Sequence, residues 1–201
     1  ILLPEIGLDL RELIFNQENK DAAGTINQTK MAQPVLFTIE YALAKLWEKY
    51  GVLPEYMIGH SIGEYVAACI SGVFTLDDGL KIVASRGALM QQQPPGAMLS
   101  IVLSEEDVQD YLDRDIELSV INSPNASVVS GENVKIEQLE KRLAADGVRC
   151  IRLHTSHAFH SKMMAPIMAP FKGLFEDVRL NHPKIPFISN LTGDWITPDQ
   201  A

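Results

Sequence analysis

Tyr56-Met57-Ile58-Gly59-His60-Ser61-Ile62-Gly63-Glu64-Tyr65 is the stretch on which the reading of this chain turns. A short apolar run ends at Gly59, the pattern G-x-S-x-G follows, and a helical pattern continues from Glu64 to Ile70. Strand, sharp turn and helix are the setting in which this pentapeptide lifts a serine out of the backbone. Small flanking residues permit the strained turn, and the first amides of the new helix point to where negative charge would develop. Taken alone, the five residues also fit an ordinary glycine-rich turn.

Outward from this point, residues 17–30 are polar, are broken by Gly24 and predict a loop. Gln33-Pro34 opens a helix, because proline suits a first helical turn. Leu36, Ile39, Leu43, Leu46 and Trp47 then form an apolar stripe that reads as core packing, and Gly51 stops the helix. A second helix runs from Leu76 to Gln92 and ends at Gln93-Pro94-Pro95-Gly96. Beyond it, Ala97 to Leu103 predicts a strand, and Ser104 with Asp107 a capping box before a helix through Leu112. Strands over Glu117 to Asn122 and Ser127 to Ser130 flank the turn Ser123-Pro124-Asn125. A helix from Val134 to Ala145, with Ile136, Leu139 and Leu143 on one face, precedes a strand over Val148 to Leu153. The order β-α-β-β-α-β is the ferredoxin-like arrangement, expected as an inserted unit over residues 96–153.

The chain has 201 residues, 46% apolar and 21% charged, and a formal net charge of −9. That acidity argues against nucleic acid, whose phosphates draw on clustered Lys and Arg. Cys69 and Cys150 lie far apart with no CxxC, so neither a disulfide framework nor a zinc knuckle is indicated. No apolar run reaches the length of a membrane span and no signal peptide opens the chain, so a cytoplasmic, soluble protein is expected. The start at Ile1 without Met, and the end at Thr197-Pro198-Asp199-Gln200-Ala201, suggest truncation at both ends of a longer polypeptide.

A serine hydroxyl needs a general base, and the histidines are His60, His154, His157, His160 and His182. In an elbow, His60 would point away from Oγ. His154, His157 and His160 cluster in Leu153-His154-Thr155-Ser156-His157-Ala158-Phe159-His160-Ser161, a polar loop or, less simply, a metal site. No Cys or paired carboxylate completes a ligand set nearby, so no metal is expected. Arg86 sits in the nearly uncharged Val83-Ala84-Ser85-Arg86-Gly87-Ala88-Leu89-Met90. There it either faces inward to a ligand or leaves a charge on an apolar surface.

Several separated motifs then fall in order: Gly59-His60-Ser61-Ile62-Gly63-Glu64-Tyr65-Val66-Ala67-Ala68, Gly72-Val73-Phe74, Arg86-Gly87-Ala88-Leu89-Met90-Gln91 and His157-Ala158-Phe159-His160-Ser161. Gln33-Pro34 and Ser189-Asn190-Leu191-Thr192-Gly193 complete them. From about Asp9 to Pro198 the chain closely resembles the malonyl-CoA:acyl-carrier-protein acyltransferase family, most of all the acyltransferase domain of a modular type I polyketide synthase. The resemblance implies an α/β fold. An α/β-hydrolase-like large subdomain with a parallel sheet, residues 1–95 and 154–201, would be interrupted by the ferredoxin-like unit, with the active site in the cleft between them.

On the same resemblance, Ser61 would be the nucleophile and His160 the general base and acid, oriented by a backbone carbonyl. Arg86 would grip the free carboxylate of a malonyl group, Ile62 would lend its amide to the oxyanion hole, and His60 and Gln33 would line the pocket. His157-Ala158-Phe159-His160 has the malonyl form, where methylmalonyl-selective members carry Tyr-Ala-Ser-His. Phe159 would fill the space of an α-methyl group, and Ile62 stands where methylmalonyl types often have Gln. A gate on one methyl group discriminates by roughly 1–3 kcal/mol. No cofactor would be permanently bound: malonyl-CoA is the substrate, and the acceptor is the phosphopantetheine thiol of an acyl carrier protein. A neighbouring ketosynthase domain of a larger megasynthase is the other implied partner.

The family's Gly-Gln-Gly segment is absent before Ile1, as is the segment beyond Ala201 that would hold the histidine. The 201 residues alone are therefore expected to be nearly inactive. Two other readings stand beside this one. A serine hydrolase would draw its acid from Asp107, Asp110, Asp113, Asp115 or Asp146, between Ser61 and His160. A non-catalytic module would only dock a carrier protein.

Overall fold

The computed structural model describes residues 6–16 and 22–197, with no side-chain account of Ala22 and Ala23. The first part of the expected loop, residues 17–21, lies outside the described residues, as do residues 1–5 and 198–201. Contacts divide the chain into two units, residues 1–89 with 170–201 and residues 90–169.

In the first unit, α1 (Leu10–Phe15) is capped by Asp9, whose carboxylate accepts from the Arg11 amide at 2.9 Å. Residues 22–26 form a short helix, α2 (Ala22–Ile26), where the sequence predicts loop. The long helix α3 (Thr29–Lys49) begins well before Gln33-Pro34, with Pro34 inside it. Its first turn is set at Gln28, whose carbonyl accepts from the Met31 and Ala32 amides, both at 2.8 Å. Burial of Met31 and Val35 with Leu10 and Leu13 outweighs the preference of proline for an N-terminal turn.

The expected role of the α3 stripe is also corrected. Leu36, Ile39, Leu43, Leu46 and Trp47 are between 38% and 57% exposed, and the helix buries Met31, Val35 and Phe37 instead. Periodicity identifies an apolar face but carries no information about what covers it.

The strand β1 (Met57–Ile58) feeds α4 (Ile62–Ser71), and α5 (Leu76–Gln91) follows. Helix α4 is apolar round most of its circumference and is correspondingly buried, with Val66, Ala67 and Cys69 packed against Phe37, Val83 and Phe187. Burial pushes the Cys69 thiol up to about 11.

The second unit is a four-stranded antiparallel sheet of β2 (Ala97–Ile101), β3 (Ile116–Ser123), β4 (Ala126–Gly131) and β5 (Cys150–Arg152), in the order β3-β4-β2-β5. Helices α6 (Glu105–Val108) and α7 (Asn133–Ala145) connect them in the expected βαββαβ sequence. The expected cap forms: Ser104 Oγ accepts from the Asp107 amide at 3.0 Å, and the Asp107 carboxylate turns back to accept from the Ser104 hydroxyl at 2.8 Å. Pro124-Asn125 makes the hairpin turn between paired Ser123 and Ala126. Ile136, Leu139 and Leu143 of α7 lie on Leu99, Ile101 and Val129.

The first unit contributes a parallel pair. β1 lies beside β6 (Phe187–Ile188), Met57 opposite Phe187 and Ile58 opposite Ile188. α8 (Met168–Gly173) precedes β6 in the chain. None of the described helices is long and apolar enough to cross a membrane.

The division by contacts differs from residues 96–153 at both edges, and hydrogen bonds supply the reason. The Gly96 amide donates to the Ser156 carbonyl at 3.1 Å, and Ser130 Oγ donates to the Phe159 carbonyl at 2.8 Å. The histidine-bearing loop is thus tied to the four-stranded sheet.

Leu143 is fully buried among β2, β4 and α7. Leu143→Ala is expected to destabilise the second unit by about 3 kcal/mol, measured as a lowered urea midpoint.

Candidate active site

The turn after β1 is as tight as its residue types suggest. A Cβ on Gly59 would stand 2.1 Å from the Gly63 carbonyl carbon and 2.3 Å from the Glu64 nitrogen, so only glycine fits. The chain reverses through hydrogen bonds from the Gly63 amide to the His60 carbonyl (3.0 Å) and from the Glu64 amide to the Ser61 carbonyl (3.1 Å). Ser61 is left at φ +52°, ψ −108° as the N-cap of α4. A residue with a Cβ is strained there by about 1–3 kcal/mol, and such strain gathers at functional positions. Ile62 is the first residue of α4 and is buried, while His60 is exposed. The Ile62 amide belongs to the helix's first turn, which has no intrahelical acceptor.

Arg86 is brought to this helix from α5. Its guanidinium lies 5.4 Å from the centroid of the Tyr65 ring, one turn along α4 from Ser61. Its Nη1 donates to Gln33 Oε1 of α3 at 2.5 Å. Gly87 allows the close approach of α5 to α3, since a Cβ there would lie 2.9 Å from the Thr29 carbonyl oxygen. Arg86 is 9% exposed and forms no ion pair with a carboxylate among the described residues. A buried cation whose recorded partners are the neutral Gln33 amide and Tyr65 side chain is poised for an anion. Tyr65 is a site residue that sequence reasoning passes over. Burial pushes its phenol up, and the Arg86 charge partly opposes this.

In the second unit, His157 is buried and both ring nitrogens are engaged. Nε2 donates to the Gln93 carbonyl at 3.1 Å, so Nδ1 accepts from Ser156 Oγ at 2.7 Å. The His157 ring stacks on Phe159, centroids 6.0 Å apart, and Phe159 is half-buried. His160 is exposed at φ +57°. Among the described residues, Ser61 and His160 are the two non-glycine residues with positive φ. His154 and His182 are exposed. Among the described residues no group of three His, Cys, Asp or Glu is placed to hold a metal ion.

The structure thus gathers Ser61, Ile62, Gln33 and Arg86 on three helices of the first unit, and His157, Phe159 and His160 on one loop of the second. It adds Asn190, which follows β6. The Ser61 amide donates to Asn190 Oδ1 at 2.9 Å, and Asn190 Nδ2 donates to the Gly59 carbonyl at 2.6 Å. In the sequence Asn190 stands out through its place in Ser189-Asn190-Leu191-Thr192-Gly193 and through the polar Ser189-Asn190 that follows the apolar Pro186-Phe187-Ile188, but neither signal gives it a role.

Residues 1–200 match the family described as acyl transferase domain. The chain is 40% identical over 197 residues to a phenolphthiocerol/phthiocerol polyketide synthase polypeptide of Mycobacterium tuberculosis, covering 98% of this chain and 13% of that polypeptide. Among solved structures, it matches the acyltransferase domain from the second module of the salinomycin polyketide synthase, with TM-score 0.88 and 40% identity over 96% of this chain and 46% of that one. The malonyl CoA-acyl carrier protein transacylase of Burkholderia pseudomallei matches with TM-score 0.86 and 34% identity, over 98% and 68% of the two chains. The chain therefore spans about an eighth of the mycobacterial relative and under half of the salinomycin domain.

Gly59→Ala is expected to displace the elbow and destabilise the first unit by about 3 kcal/mol or more. Gly173→Ala, where a Cβ meets nothing within 4 Å, should be nearly neutral. Thermal melting of the two variants side by side checks the contrast.

Proposed function

The chain belongs to the acyl transferase domain family, and from that premise we propose that it moves a malonyl unit from malonyl-CoA to an acyl carrier protein through an ester on Ser61. One observation carries the choice of acyl group: buried Arg86, partnered by Gln33 and the Tyr65 ring, with no carboxylate of its own among the described residues. A malonyl carboxylate would complete it through a charge-assisted pair. An acyl group lacking the carboxylate leaves the guanidinium unpaired, at a cost of a few kcal/mol.

In the first half-reaction Ser61 Oγ attacks the thioester carbonyl while His160 takes its proton. Negative charge on the carbonyl oxygen meets the Ile62 amide at the N-terminus of α4. The CoA thiolate leaves with the proton from His160, and a malonyl-serine ester remains. In the second half-reaction the phosphopantetheine thiol loses its proton to His160 and attacks the ester carbonyl; the bond from the acyl carbon to Ser61 Oγ breaks, the malonyl group stays on the carrier thiol, and His160 returns the proton to Oγ. The positive φ of Ser61 and of His160 supports this pairing of roles, because such strain marks functional positions. Phe159, held by stacking on His157, would occupy the space of an α-methyl group and so favour malonyl over methylmalonyl. The expected partners are the carrier protein and the ketosynthase domain of a larger cytoplasmic synthase.

In the full-length protein, Ser61→Ala is expected to abolish the malonyl adduct seen by intact mass after incubation with malonyl-CoA. Arg86→Ala should cut the preference for malonyl over acetyl by about 100-fold. A variant that kept its preference would remove Arg86 from carboxylate recognition. Phe159→Ser should shift the malonyl-to-methylmalonyl ratio toward methylmalonyl by roughly 10- to 100-fold in competition assays.

A further inference from the structure

We propose that Asn190 is a positioning residue that holds Ser61 in its raised backbone conformation by bridging the two sides of its turn. The proposal rests on Ser61 being the nucleophile.

Topology brings the two residues together. β1 and β6 run parallel with Ile58 opposite Ile188, so the segments leaving their carboxyl ends emerge side by side. One continues into Gly59-His60-Ser61, the other into Ser189-Asn190. The Asn190 carboxamide then spans the elbow, accepting from the Ser61 amide at 2.9 Å and donating to the Gly59 carbonyl at 2.6 Å. A short side-chain amide is the group that offers an acceptor and a donor together at this reach. An aspartate would set negative charge against the Gly59 carbonyl.

Asn190 is itself braced. Its own amide donates to Glu64 Oε1 in the first turn of α4 at 3.1 Å. Its loop is closed by bonds from the Ser189 amide to the Asp194 carbonyl and from the Gly193 amide to the Ser189 carbonyl, both 2.8 Å. The helix thus fixes the residue that fixes the helix's N-cap. The Ser61 amide is committed to Oδ1, whereas the Ile62 amide, by its place in the first turn, has no intrahelical acceptor.

The test uses Asn190→Ala, which loses both bonds, and Asn190→Asp, which keeps the acceptor and loses the donor, in the full-length protein. The readout is the rate at which a fluorophosphonate probe labels Ser61, located by peptide mass. Labelling of Asn190→Ala is expected to slow roughly 10- to 100-fold, with Asn190→Asp between it and wild type. In malonyl-CoA turnover, kcat should fall while KM moves less than about threefold, the mark of an interaction that matters in the transition state. A folded Asn190→Ala protein that labels and turns over within about twofold of wild type overturns the proposal. Should both variants fail to fold, hydrogen exchange of the wild type still decides. The Ser61 amide should exchange at least about tenfold more slowly than that of Ile62, and equal rates would rule the clamp out. Labelling that persists in Ser61→Ala would instead remove the nucleophile reading, while the exchange ratio continues to report on Asn190.

Discussion

Ser61 stands in a backbone conformation that an L-residue resists by about 1–3 kcal/mol, and much of the first unit is arranged around sustaining it. No single bond does so, because one net hydrogen bond contributes only about 0.5–1.5 kcal/mol. Two hydrogen bonds from Asn190, the close packing of Gly59 on the Gly63–Glu64 backbone and the buried flank of α4 act together. Without the parallel pairing of β1 and β6, Asn190 would not stand beside the turn. The strain is therefore supported by tertiary structure, not by local preference.

Arg86 presents the second constraint, electrostatic where the first is conformational. Taking a guanidinium out of water is expensive unless its donors are met. Gln33 meets one of them and Tyr65 offers a π face, both neutral, so the charge itself stays uncompensated by a carboxylate among the described residues. The missing side chain at Gly87 lets α5 come close enough to α3 for the Arg86–Gln33 bond to form. This is the physical basis on which a ligand carrying its own negative charge is proposed to be selected. In the same spirit, burial raises the Glu64 carboxyl, and the Asn190 amide that it accepts opposes the rise.

Much is legible because it is local. The elbow announces itself through Gly59, Ser61 and Gly63, whose types are demanded by one turn. The ferredoxin-like unit follows from period-two and helical patterns with clear breaks at Pro124-Asn125 and Gly147. The start of α3 is misplaced by sequence because the propensity of Pro34 is outweighed by the burial of Met31 and Val35. The stripe from Leu36 to Trp47 reads as core because a pattern reveals which side of a helix is apolar, but not whether anything lies against it. The loop carrying His157 and His160 reads as part of the larger subdomain, since hydrogen bonds such as Ser130 Oγ to the Phe159 carbonyl leave no trace in sequence.

The amino-acid order by itself determined the family, the pentapeptide and the βαββαβ unit, and singled out Ser61, His160 and Arg86 as candidates, because motifs and periodicities are properties of neighbours in the chain. Only the tertiary structure decided that Tyr65 and Gln33 share Arg86, that His157 has both nitrogens occupied, and that Asn190 grips the serine's turn. Those contacts join residues far apart in the chain. Hydrogen bonds and ring contacts act over a few ångströms of space, and nothing in a linear pattern encodes that distance until the strands have paired and the helices have packed.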